Sequence, residues 1–471
     1  MPEPLLKPCA RPRACPAAAT AALALLLGGC ALQAPLPPSP MPAGLPATWQ
    51  APLPAADAGA VPQWLQSADP ALRALLDAVQ AQSPTLQQAV ARRDEVRALA
   101  GQDPGGPRVQ GLLQVQRTRP VQPADSPALS QRLAQVDASW ELDLFARVRQ
   151  QSQAQARRAE AAQWELQAVR LSLMVEVAQL YLSLRSAEQA QALALEEEQI
   201  TERLAGQAAQ RERAGLETPA QQALLAGVAA ETRQRRLAQQ LELEALVKAL
   251  VAATGLDDAA LRQLLEPGRA RLPALPAFTV PAVPAEALQQ RPDLIAARAQ
   301  ALAAWSEAGA AQAARYPQLQ LLGSVSVLGV KLGTERDENR GWSLGPQLSL
   351  PLLDGGVRRA EAEAGQARWR QAEAGWRAAA VQAVREVEEA LLRLAAQSAR
   401  IQAAQASLAG YEKALKGTEQ RWRHGLASAT ELDEQRRLTL AARSLQQQLQ
   451  REGLSAWLSL YKAVGGGFKP A

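Results

Sequence analysis

Gln135-Val136-Asp137-Ala138-Ser139-Trp140-Glu141-Leu142-Asp143-Leu144 alternates without a break. Val136, Ala138, Trp140, Leu142 and Leu144 fall on one face; Gln135, Asp137, Ser139, Glu141 and Asp143 fall on the other. Period two is the side-chain repeat of a β-strand, and a strand of this length with one apolar face suits a wall between lipid and water. A soluble sheet with one wet face alternates in the same way, so this stretch alone leaves both open. A weaker partner lies near Val109 to Thr118, across a proline-containing loop from Arg119 to Ser130. Further on, Leu319, Leu321, Val325 and Val327 oppose Gln318, Gln320, Ser324 and Ser326. Trp342, Leu344, Leu348, Leu350 and Leu352 oppose Ser343, Gln347 and Ser349. Four strands are expected, at about 108–118, 133–145, 317–329 and 341–353.

Helices flank each strand pair. Asp69 caps a first helix, with Pro70 in its first turn, expected to run to about Ala100. Long uninterrupted helical runs follow each pair, Arg147 to Arg213 and Gly356 to Arg423. At 1.5 Å per residue each extends roughly 100 Å, beyond any single globular core. Gly215 and Gly425 end these runs and suit a left-handed helix terminus. Thr218-Pro219 then starts a returning helix, as Ser428 or Thr430 does later. Each half therefore closes in a helical hairpin with its tip at Gly215 or Gly425.

The halves repeat at an offset of roughly 210 residues, long enough to carry a whole structural unit. Ser83-Pro84-Thr85-Leu86 matches Arg291-Pro292-Asp293-Leu294. Trp140-Glu141-Leu142-Asp143-Leu144 matches Leu348-Ser349-Leu350-Pro351-Leu352. Arg211-Glu212-Arg213-Ala214-Gly215-Leu216 matches Arg421-Trp422-Arg423-His424-Gly425-Leu426, and the apolar segment ending at Gly255 matches the one ending at Gly465. The chain reads as a tandem duplication with repeats at 69–282 and 283–471.

Composition agrees and excludes other classes. Hydrophobic residues make up 48% and charged ones 21%, so the chain is not a disordered one. Aromatics are only 4%, which fits long helices packed by small side chains. His424 is the single histidine, which excludes a His-based metal site or a Ser-His-Asp triad. No carboxylate pair, nucleophile-base set or metal spacing stands out, so neither an enzyme nor a cofactor is expected. The formal charge is +5, with no basic block interleaved with aromatics, so no nucleic-acid partner is expected.

The three cysteines, Cys9, Cys15 and Cys30, lie in the first thirty residues. Lys7, Arg11 and Arg13 precede an apolar stretch, Ala17 to Leu27, too short for a bilayer span of about 20 residues. This is the pattern of an export signal over residues 1–29. Leu27-Gly28-Gly29-Cys30 resembles a lipobox, which implies lipidation of Cys30 as the mature first residue; a plain secretory leader with an incidental cysteine is the alternative. Recurrent prolines between Pro35 and Pro62 make 30–68 an extended tether from that anchor.

Four strands per chain are too few for a membrane barrel, whose smallest form has about eight. An open sheet in lipid leaves its edges unsatisfied, at several kcal/mol per lost hydrogen bond. Closure therefore needs more than one chain: two supply eight strands and three supply twelve. Long helices continuing from the strands would prolong the pore away from the membrane.

These features resemble a known family, the outer-membrane factors of tripartite efflux systems, of the TolC and OprM type, and within it the lipidated NodT-like branch. The segments that carry the resemblance are Ala138-Ser139-Trp140-Glu141-Leu142-Asp143-Leu144-Phe145, Arg291-Pro292-Asp293-Leu294, Tyr316-Pro317 and Trp342-Ser343-Leu344-Gly345-Pro346. Pro351-Leu352-Leu353-Asp354-Gly355-Gly356 and Leu460-Tyr461-Lys462-Ala463-Val464-Gly465-Gly466-Gly467-Phe468 complete them. The resemblance implies an α+β membrane protein whose homotrimer forms a twelve-stranded outer-membrane β-barrel continued by a twelve-helix periplasmic tunnel. It also implies a mixed belt around the tunnel, using 255–284 and the C-terminus. The implied partners are a periplasmic adaptor (membrane fusion) protein, an inner-membrane pump of the RND type and outer-membrane lipid. The implied function is passive export of small molecules.

Carried over residue by residue, the periplasmic gate of the family falls on Arg421, Trp422 and Arg423, with the acidic positions at Asp433 and Glu434. Trp422 replaces the usual Tyr, Glu434 the commoner Asp, and His424 at the tip is atypical. Arg421 and Arg423 stand across the hairpin from Asp433 and Glu434, within about three turns of Gly425, so pairing between the arms is expected. Two other readings compete. One is the channel of a type I protein-secretion system; the other is an envelope scaffold lipoprotein with soluble sheets and no pore. Four long amphipathic strands argue against the scaffold.

Overall fold

A computed structural model describes residues 45–53, 69–102, 104–119, 128–273 and 284–466. The leader, Cys30 and most of the tether lie outside the described residues. The chain divides into two compact units.

The first unit, from 98–158 and 300–372, holds a four-stranded antiparallel sheet in the order β1-β2-β3-β4. The strands are β1 (Arg108–Thr118), β2 (Leu129–Leu142), β3 (Gln318–Leu332) and β4 (Glu335–Ser349). All four expected strands are present, with shifted bounds. β2 starts earlier and stops at Leu142, because Asp143 turns the chain into the next helix. Its carboxylate accepts from Val148 N–H and Arg149 N–H, both at 3.0 Å. β4 ends at Ser349 rather than near 353, and Asp354 plays the same part there: it accepts from Gly356 N–H at 3.0 Å and Arg358 N–H at 3.2 Å. At its other end β4 extends back to Glu335, because Gly333 (φ 59°) and Thr334 alone join it to β3 and Leu332 pairs with Glu335. A glycine at the first position of a two-residue loop is the chemistry of a tight hairpin. The charged run Glu335–Arg340 lacks apolar alternation, which hid this part of the strand.

The second unit, from 40–97, 159–299 and 373–471, is helical among its described residues. The expected first helix is two, α1 (Pro70–Gln82) and α2 (Pro84–Ala100). Pro84 lacks an N–H and drives Ser83 to ψ 122°, which breaks the helix. Asp69 caps α1 by accepting from Ala71 N–H at 2.8 Å. Leu72, Leu75, Leu76 and Val79, at helical spacing, are all buried.

The long helices are α3 (Arg147–Arg213) and α8 (Val357–Arg423), of 67 residues each. Gly356, expected to open α8, has φ 84° and stays outside it. Returning helices are α4 (Pro219–Thr254) and α9 (Ala429–Ala463). Shorter ones are α5 (Asp258–Leu265) and α6 (Pro284–Gln289); α7 (Pro292–Ala313) leads into β3. The core joins α1, α3, α4, α5, α8 and α9 around Leu75, Val177, Tyr181, Leu250, Leu261, Leu391 and Leu458. Each fully buried leucine contributes about 1.5–3 kcal/mol.

Equivalent contacts recur in the two halves. A Cβ on Gly255 would lie 2.8 Å from the Gln82 carbonyl oxygen, and one on Gly465 2.8 Å from that of Gln290. Each glycine thus lets the end of a returning helix meet the backbone just ahead of Pro84 or Pro292. Arg291 is a counterpart of Ser83 by offset, but it does more. It donates to the Ala463 carbonyl at 3.0 Å and to Glu386 at 2.9 Å, tying the start of α7 to α9 and α8. The tether is not extended throughout. Gln50 N–H and Ala51 N–H both donate to the Glu388 carboxylate, at 2.7 and 2.8 Å, and Trp49 is buried. Two charge-assisted bonds and one aromatic side chain suffice to hold that short piece.

Candidate functional site

The sheet wears its sides the wrong way round for a soluble protein. Register places Gly111, Val136, Val325 and Trp342 in one row across the four strands, with Val109, Ala138, Gly323 and Leu344 in the next. This apolar face is the open one: Trp342 is 79% exposed, Leu344 68% and Val136 51%. The opposite face carries Gln135, Asp137, Ser139, Ser324 and Ser343; on β2 these are half-buried while every apolar-face residue from Arg132 to Trp140 is exposed. Gln135 donates to Asp137 at 2.7 Å, and the Ser324 and Ser343 hydroxyls lie 2.9 Å apart, so the polar face is internally hydrogen-bonded. β1 and β4 are the sheet's unpaired edges.

Aromatic groups gather where the strands meet the helices. The Phe145 and Tyr316 rings stack at 5.1 Å, and with Trp305 and Trp369 they line an open cavity of 460 Å³. The Trp140 indole N–H donates to the Gly105 carbonyl at 2.9 Å. Amphipathic rings at one end of an apolar face are what a membrane interface selects. Among the described residues, no helix is long and apolar enough to cross a membrane, and no cluster of metal-ligating side chains exists.

The hairpin tips share one design. Gly215 N–H donates to the Glu212 carbonyl and Leu216 N–H to that of Arg211, at 2.9 and 2.8 Å. Gly425 to Trp422 and Leu426 to Arg421 repeat the pair at 2.9 and 2.7 Å. This two-bond termination requires a left-handed residue, and Gly215 and Gly425 have φ 72° and 71°. Leu216 and Leu426 project at each tip, both 70% exposed.

Of the expected gate residues, the structure brings Arg421 to the opposite arm, but its partner is Glu431, at 2.8 Å. Asp433 and Glu434 do not reach Arg421 or Arg423 within the chain. Asp433 is buried and accepts from Arg436 at 3.1 Å; that guanidinium also approaches Glu419 on α8 at 3.7 Å. Glu434 pairs with Arg437 at 3.2 Å. Trp422, Arg423 and His424 are exposed. Glu431 carried a readable signal: Ser428-x-x-Glu431 is a capping box, and Ser428 Oγ accepts from Glu431 N–H at 3.0 Å. That settles the cap on Ser428 rather than Thr430. The first tip has Gln221 where the second has Glu431, so the two are chemically unequal.

The first unit thus presents an exposed apolar sheet face and a polar opposite face, and the second carries the long helical hairpins. The family model for outer membrane efflux protein matches residues 75–256 and 283–466. Outer membrane protein OprJ of Pseudomonas aeruginosa is 31% identical over 338 residues, 70% of this chain and 68% of that one. The pyoverdine export outer membrane protein OpmQ of the same organism is 29% identical over 94% of this chain and 95% of its own. In fold, the open-state MtrE outer membrane channel of Neisseria gonorrhoeae superposes with a TM-score of 0.78 at 23% identity, over 92% of this chain and 98% of that one. The resemblance drawn from the strand and hairpin motifs holds, and the chain belongs to the outer membrane efflux protein family.

Proposed function

We propose that this chain is the outer-membrane duct of a tripartite efflux pump of the RND type. Three copies join β1 to β4 edges into a twelve-stranded barrel, and their helical hairpins continue it as a periplasmic tunnel. Cys30 carries the lipid anchor, and an adaptor protein couples the tunnel to an inner-membrane pump. Small molecules pass through without chemical change. The observation that supports this most is the exposed apolar face set against two unpaired edges. In water such a face costs about 25 cal/mol per Å², whereas in lipid it costs nothing and the edges demand closure. The resting tunnel is shut at its hairpin end. With Arg421 held by Glu431, contacts between neighbouring hairpins fall to exposed Trp422 and Arg423 on one side and Glu434 on the other, while Asp433 sets the local packing.

Planar-bilayer conductance of the purified full-length protein tests this reading. The wild type is expected to conduct poorly at rest, and Asp433→Ala with Glu434→Ala to raise that conductance several-fold. Absence of any channel activity from both proteins contradicts the duct. Channels that are open equally in both place the gate elsewhere.

A further inference from the structure

The strand ends far from the helices carry a charge pattern that export does not require. On the apolar face, Arg117, Ser130, Lys331 and Arg336 form one row across the four strands. The next row inward carries Arg132 and Glu338, and the one after it Arg340. Glu338 is taken by Arg340, at 2.8 Å. The other acids of that strand end, Glu335 and Asp337, alternate onto the opposite face. Among the described residues, no carboxylate pairs with Arg117, Arg132, Lys331 or Arg336, and all four are exposed.

We infer that this basic fringe binds the phosphates of an outer-leaflet glycolipid. The inference rests on the duct reading, which puts the apolar face in lipid and the far strand ends in the outer leaflet. Directly below the cations lie Leu113, Ala134 and Val327, then Val136, Val325 and Trp342. Cations bordering an apolar band bind anionic lipid headgroups. The forked guanidinium matches phosphate oxygens, and long basic side chains keep their heads in the polar layer while their stems lie on apolar surface. A free anion would use the charges but not the apolar rows. Acyl chains beneath a phosphorylated headgroup use both. Placing Glu335 and Asp337 on the other face, and pairing Glu338 with Arg340, removes the carboxylates that would compete for the same cations.

Full-length protein in detergent, titrated with bisphosphorylated lipid A and with the same lipid stripped of both phosphates, tests this by native mass spectrometry. The wild type is expected to retain the phosphorylated form at least tenfold more tightly. Arg117→Gln, Lys331→Gln and Arg336→Gln together are expected to abolish that preference. Loss of the same charge on the helices, by Arg203→Gln, Lys413→Gln and Lys416→Gln, is expected to preserve it. Equal retention of both lipids by the wild type, or an undiminished preference in the sheet variant, overturns the inference. So does full competition by millimolar inorganic phosphate, which would mark a free-anion site. Conductance in neutral-lipid bilayers separates the two readings: the sheet variant is expected to conduct like the wild type, and a wild type that never conducts removes the duct while leaving the lipid preference readable.

Discussion

Asp143, just after β2, and Asp354, between β4 and α8, each accept from two backbone N–H groups at or just ahead of the helix that follows. The residue that turns the corner is left-handed in both halves: Gly356 with φ 84°, but Ala146 with φ 61°. A side chain costs roughly 1–2 kcal/mol in that region. Ala146→Gly is therefore expected to raise the thermal midpoint in detergent and Gly356→Ala to lower it, each by about 1 kcal/mol. Movement of both in the same direction would contradict the shared turn. Asp143 stood in the motif that marked the strand, but alternation placed it on the polar face and gave no hint of capping. The family resemblance points to Asp433 and Glu434, whereas the acid that pairs with Arg421 is the capping-box Glu431, two residues before Asp433. Buried phenols give a second test at this scale. Burial, then the hydrogen bond to Asp69 at 2.5 Å, pushes the Tyr181 pKa up to about 12, and burial pushes that of Tyr461 up to about 12. Between the ordinary value near 10 and 12 the unfolded chain releases protons that the folded one keeps, so stability is intact below pH 10 and falls above it. The thermal midpoint is expected to drop between pH 9.5 and 11.5 by an amount that Tyr181→Phe with Tyr461→Phe reduces. An identical drop in the double variant contradicts the assignment.

At the scale of elements, long periodic helices and alternating strands were legible because each repeats its signal over many turns or pairs. The breaks were less so. Ser83-Pro84 is a landmark of the repeat, yet apolar residues continue on both sides of it, so the pattern alone does not mark a helix break there. The β3–β4 hairpin turns on Gly333 and Thr334, and its charged arm lacks apolar alternation. The close packing of Gly255 and Gly465 depends on a distant backbone, which no local pattern encodes. Both glycines combine positive φ, 75° and 89°, with a carbonyl 2.8 Å from any added Cβ. Gly255→Ala and Gly465→Ala are each expected to cost about 2 kcal/mol or more, read as a lower thermal midpoint. Gly410→Ala, at a helical position with open space around it, is expected to be neutral or stabilising. Equal midpoints for all three would show that the helix ends are free to give way.

At the scale of the whole molecule, one chain cannot satisfy its own sheet. β1 and β4 leave two edges open, and Pro346 on β4 lacks a donor but sits on an edge, where proline is tolerated. Among the described residues the apolar face is left open, while on β2 and β3 the polar face is half-buried. The proposed arrangement, with lipid outside, water inside and copies of the same chain at both edges, would satisfy these conditions. In the proposed trimer three copies would supply twelve strands, with α3 and α8 of each copy following directly from a strand. The mass of the full-length protein in detergent, measured by native mass spectrometry, tests this most directly. A complex of three chains that persists at nanomolar protein is expected; a folded monomer, or a stable assembly of any other number, would contradict the trimeric duct.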